Sequence, residues 1–121
     1  MTTQQKFNNW LDNIIATEKP DKDIIAYWFG IFESNDGYQT YLIGSKIFDD
    51  DDSDWACSDD FTPKNKYFPL GQSGADWQII LDEVKKYVAD YLQTSTFKNS
   101  FLDKSTAIAC GFDDGDLYRI K

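Results

Sequence analysis

Ile24-Ile25-Ala26-Tyr27-Trp28-Phe29-Gly30-Ile31-Phe32 is an almost unbroken run of β-branched and aromatic residues. A strand with one face in water alternates apolar and polar positions. A run without that alternation reads as a strand covered on both faces, and therefore as the centre of a sheet. Ser34-Asn35-Asp36-Gly37 follows, a group of residues that tolerate positive φ, and Tyr38 to Phe48 is strand-like again. Together these segments predict a β-hairpin. Gly30 and Gly44, inside the strands, mark bulges or the close approach of a helix.

Upstream, Phe7, Trp10, Leu11, Ile14 and Ile15 fall on one helical stripe, and Thr2 with Gln5 has the form of a capping box. The spacing predicts a helix over Thr3 to Thr17, ended ahead of Pro20, which biases Lys19 away from helical angles. Downstream, Trp55-Ala56-Cys57 reads as a short third strand, and a loop with Pro63 and Pro69 comes after it. Ser73 with Asp76 then opens a second helix, from about Ala75 to Gln93, with the stripe Trp77, Ile80, Leu81, Val84, Val88, Tyr91 and Leu92. Phe97, Phe101 and Leu102 read as a short helical extension on the same core. Thr106 to Phe112 and Leu117 to Ile120 flank Asp113-Asp114-Gly115-Asp116, a second hairpin signal. The order of elements predicts one α+β domain over residues 1–121, with a mostly antiparallel sheet packed against two main helices.

The composition narrows the function classes. With 121 residues, 41% hydrophobic and 17% aromatic, the chain has enough apolar area for one core. No stretch approaches the length of a membrane span, and Met1 to Lys6 lacks the basic head and apolar run of a signal peptide, which predicts a cytoplasmic protein without membrane association. Cys57 and Cys110 sit in apolar contexts that suit small buried thiols better than a secreted disulfide framework, with a bridge between them left as an alternative. Histidine is absent. That removes Ser-His-Asp and Cys-His nucleophiles, the usual general base and the commonest zinc ligand. No nucleophile and base pair is defined by spacing, so the reading is of a protein that is not an enzyme and needs no cofactor.

Charge is concentrated in one place. Asp49, Asp50, Asp51, Asp52, Asp54, Asp59 and Asp60 lie within twelve residues that contain no Lys or Arg, and carry -7 of the chain's formal -9. Such a segment attracts a basic partner or a cation and repels a phosphate backbone, which argues against nucleic acid. A calcium loop read from Asp50 places Asp50, Asp52 and Asp54 at alternating ligand positions, but Trp55 stands where the sharp turn needs Gly and Phe61 where a bidentate Glu is needed. The EF-hand pattern fails, and no metal site is expected. A glycosidase pair fits poorly, since consecutive Asp residues lack a fixed separation. Trp55 and Phe61 flank the acids, and aromatics beside charges are frequent interface anchors, although each ring can equally point into the core. The Asp113–Asp116 turn extends the negative surface if it lies near the long loop.

Tyr41-Leu42-Ile43-Gly44-Ser45, Asp54-Trp55-Ala56-Cys57 and Ala109-Cys110-Gly111-Phe112-Asp113-Asp114-Gly115-Asp116-Leu117, in a small acidic His-free domain, resemble the immunity proteins of bacterial polymorphic-toxin and contact-dependent growth inhibition systems. The resemblance implies a non-catalytic inhibitor that binds the catalytic domain of a cognate toxin. Many such toxins are nucleases with basic clefts, for which an acidic surface acts as a phosphate decoy. On this reading Asp49 to Asp52, Asp54, Asp59 and Asp60 pair with Lys or Arg of the toxin, and Trp55 or Phe61 anchors the contact. The alternatives are a carboxylate-based divalent-cation-binding protein and an intracellular adaptor.

Overall fold

The computed structural model describes residues 1–72 and 74–121. In chain order the elements are α1 (Thr3–Thr17), β1 (Ala26–Ser34), β2 (Gly37–Ser45), a 3-10 turn (Ser53–Cys57), β3 (Tyr67–Gly71), α2 (Trp77–Tyr91), β4 (Ala107–Phe112) and β5 (Tyr118–Arg119). The strands form one sheet in the order β3-β2-β1-β4-β5. β1 is central, as its apolar run predicts. It pairs antiparallel with β2 through the Ser34–Gly37 turn and parallel with β4, and the other pairings are antiparallel. Two helices on a mostly antiparallel, mixed sheet make this a small α+β domain.

Strand side chains alternate between faces, so β1 feeds two cores. Tyr27, Phe29 and Ile31 point to the helices, where they meet Phe7, Leu11 and Ile14 of α1 and Ile80, Val84 and Val88 of α2. Ala26 and Trp28 point the other way into a smaller core with Ile43, Ala107, Ala109 and Trp55. Both faces are covered, but unequally. Two helices cover the first, while the second has only the 3-10 turn and the loops around it. α1 starts as its sequence predicts: the Thr2 hydroxyl accepts from the Gln5 amide at 3.1 Å while the Gln5 side chain accepts from the Thr2 amide at 2.8 Å.

Several sequence expectations are corrected. Trp55-Ala56-Cys57 is not a strand but part of the 3-10 turn, because the Asp52 carboxylate accepts from the Asp54 amide and caps it. The third strand is β3, which contains Pro69. A proline is tolerated there because β3 is an edge strand, with a neighbour on one side only. β2 stops at Ser45, short of Phe48. Phe97 and Leu102 are buried in the helix-side core, but from a series of turns; Asn99, at φ 68°, breaks any helical extension. Ser73, expected to open the second helix, lies outside the described residues, and Asp76 supplies the cap, accepting from the Gln78 amide at 3.1 Å. Trp77 therefore sits at the first position of α2 and is 55% exposed instead of joining the buried stripe. Gly30 and Gly44 do mark close approaches, but of side chains outside the helices: a Cβ at Gly30 would lie 2.2 Å from the Tyr41 ring, and one at Gly44 would lie 2.6 Å from Ile24 and 2.9 Å from the Tyr27 ring. Cys110 is buried against the helices and Cys57 is exposed beside the opposite face, so the two thiols are separated by the sheet and unbridged.

Burial gives the fold a pH dependence of definite sign. It pushes the Cys110 thiol up to about 12 and raises the Tyr27 and Tyr91 phenols above their ordinary range; a hydrogen bond from the Tyr91 hydroxyl to Asp12 at 2.7 Å adds to the last. Each folded-state pKa exceeds its unfolded value. The stabilisation is therefore complete below the unfolded values and is lost as pH rises from there through the folded ones, at about 1.4 kcal/mol per pH unit for each group. With no histidine to titrate near neutrality, the urea midpoint should be flat from about pH 6 to 8 and fall above about pH 9. Denaturation at a series of pH values checks this, and a midpoint unchanged up to about pH 10.5 contradicts it.

Candidate partner-binding face

The acidic segment leaves β2 and crosses the less covered face of the sheet. All seven of its carboxylates are exposed, yet the segment is pinned at several points. Asp49 accepts from the Asp51 amide at 2.8 Å, and Asp52 accepts from the Asp54 amide at 2.9 Å. Asp50 pairs with Arg119 of β5 at 2.7 Å, and Asp60 accepts from the Lys46 amide at 2.8 Å. Asp51, Asp54 and Asp59 make no side-chain hydrogen bond among the described residues, so their carboxylates point outward without an internal partner.

The two flanking aromatics turn inward. Trp55 is 2% exposed, its ring edge-on to Phe48 with centroids 5.4 Å apart, so of its two possible roles it takes the core one. Phe61 is half-buried beside Gly44, its ring edge-on to Tyr27 and Phe101. The exposed aromatics are others: Tyr67 at 48% and Trp77 at 55%.

Between the acidic segment and the Asp113–Asp116 turn lies a cleft of about 620 Å³. Its floor is the outward side of β1 and β2, where the Trp28 indole donates to the Tyr41 hydroxyl at 3.2 Å and that hydroxyl donates to the Asp113 carboxylate. Gly30 makes this arrangement possible, since the Tyr41 ring occupies the space a Cβ would take. Burial, and then the bond to Asp113, hold the Tyr41 phenol above its ordinary pKa. Asp54 and Asp59 stand on the rim of the same cleft, and the Lys66 ammonium lies 5.0 Å from the Tyr41 ring and 5.2 Å from that of Tyr67. A second hollow, of about 560 Å³, runs between the acidic segment and β5 and is bordered by Asp49, Asp50, Asp51 and Asp116. The loop and the turn thus border one face from two sides.

Trp28, Tyr41 and Lys66 are absent from the binding residues that sequence reasoning selects, and Asp113 enters there only as part of the acidic turn. They come from four separate segments, and no spacing along the chain connects them. Among the described residues, no group of three or more Asp, Glu or Cys side chains is arranged to hold a metal ion. No helix among the described residues is long and apolar enough to cross a membrane. Comparison with protein-family models, with curated proteins and with solved structures finds no match.

Proposed function

We propose that this protein is a non-catalytic immunity protein that acts in the cytoplasm by binding the basic surface of a cognate toxin. The observation that carries the reading is the exposure, on one face, of Asp49, Asp50, Asp51, Asp54 and Asp59 of the loop together with Asp113 and Asp116 of the turn. A loop whose charges only aid solubility has no need of fixed geometry. Here side-chain bonds to backbone amides and the Arg119 pair hold Asp49, Asp50, Asp52 and Asp60 in place, and Trp55 pegs the loop to the sheet. A preorganised set of charges loses less freedom on binding than a flexible one, which favours a specific partner.

The test uses the three acids without internal partners. Replacing Asp51, Asp54 and Asp59 by Asn should leave the unfolding free energy within about 0.5 kcal/mol of the parent, because exposed like charges contribute little to folding. Association with the basic catalytic domain of the cognate toxin should slow about tenfold at low salt, and less as salt screens the field beyond about 10 Å. Stopped-flow association at two ionic strengths, with a cell-protection assay, reads the result. A triple variant that associates and protects like the parent at both salts removes the acidic face from the mechanism.

A further inference from the structure

We propose that the cleft under the Asp113–Asp116 turn is a receptor for one arginine side chain of the partner protein, and that Lys66 occupies it in the unbound chain. The inference rests on the toxin-binding reading and specifies where the partner's charge enters. Four observations on the cleft agree. Its walls include the Tyr41 and Tyr67 rings, whose faces attract cations. A cation is already there: the Lys66 ammonium sits over both rings, at 5.0 and 5.2 Å. The ionisable acids on the rim, Asp54, Asp59 and Asp113, outnumber that single ammonium, so the cleft stays negative with Lys66 in place. Asp113 is also held in position, since the Tyr41 hydroxyl that donates to it is itself fixed by the Trp28 indole at 3.2 Å.

Arginine suits this arrangement better than lysine. A planar guanidinium stacks on an aromatic face while its fork of N–H donors meets a carboxylate, whereas an ammonium is a point charge with a tighter water shell. Lys66 reaches the rings but makes no ion pair with Asp54, Asp59 or Asp113 among the described residues. An incoming guanidinium can satisfy both surfaces, and displaces Lys66 toward solvent.

The probe is the peptide acetyl-Gly-Arg-Gly-amide, titrated into the 15N-labelled full chain and followed by NMR at the Trp28 indole N–H and at the Asp50, Asp51 and Asp52 amides. The Trp28 indole should shift in a saturable way, and the lysine analogue of the peptide should bind more weakly. Asp113→Asn should weaken binding about fivefold. Lys66→Gln should strengthen it about two- to fivefold, because the internal competitor is gone. Lys64→Gln removes the same charge from an exposed neighbour that is not over the rings, and should give less than half of that gain.

Equal gains from Lys66→Gln and Lys64→Gln would show a general charge effect and overturn the occupant role. Shifts confined to the Asp50–Asp52 amides would overturn the cleft while leaving the acidic-face reading intact. Spermine moving the Trp28 indole at lower concentration than the arginine peptide would overturn the proposal in favour of a polyamine. Absence of any shift also overturns the cleft, and the toxin-association experiment then judges the acidic face separately.

Discussion

Trp55→Ala should lower the stability of the domain by about 3–5 kcal/mol, the range for truncating a large buried aromatic. The ring is 2% exposed and fills the smaller core between Phe48, Trp28 and Ile43, where there is no helix to collapse into the space. Against a total of about 5–15 kcal/mol, this is a large fraction. The loss should be uneven. Trp55 is the peg that fastens the acidic segment to the sheet, so its amides should open ahead of the rest of the molecule. Native-state hydrogen exchange separates the two effects: protection at the Ser58 amide, which bonds to the Trp55 carbonyl at 3.1 Å, should fall further than protection in β1. An unchanged urea midpoint would mean that the ring is not core.

Phe7→Ala should cost a similar amount, about 3–5 kcal/mol, by a different route. Phe7 is fully buried, and its ring lies within 5.5 to 5.9 Å, centroid to centroid, of Trp10, Phe29, Phe68 and Tyr87, drawn from α1, β1, β3 and α2. Removing it unpacks the joint between both helices and the sheet. Protection in the 3-10 turn should then fall only in step with global stability, in contrast to Trp55→Ala. Urea denaturation gives the total, and exchange gives its distribution. A Phe7→Ala protein that selectively exposes the acidic segment would contradict the division into two cores.

What could be read from the chain follows the range of each signal. α1 is legible because its stripe and its capping box are local, and the Thr2–Gln5 bonds are those the spacing implies. β1 and its hairpin are legible because a run apolar at every position has few other uses. The 3-10 turn at Ser53–Cys57 is misread as a strand because the deciding contact is one side-chain cap from Asp52 and not the apolar content of Trp55-Ala56-Cys57. β3 is missed because its proline reads as a loop until the strand is known to lie at an edge. The charge of the candidate face is visible in the sequence, since consecutive acids cannot avoid the surface. Its cleft is not, because Trp28, Tyr41, Lys66 and Asp113 meet only once the sheet has formed. The exposed Trp is likewise hidden: the helical stripe places Trp77 inside, and only the position of the Asp76 cap at the start of α2 leaves it in solvent.

The parallel pairing of β1 with β4 has a consequence for synthesis. Ala26 meets Ala107, a partner about 80 residues further along, which at about 5–20 residues per second reaches the chain about 4–16 s after β1 has been made. Until then the most apolar strand of the protein has β2 along one edge and nothing along the other. An unpaired, uncharged edge is a template for pairing with other chains. A nascent polypeptide therefore holds its central strand half-finished while the ribosome completes the remainder. For those seconds its fate is a race between chaperone capture, aggregation and the arrival of its own β4.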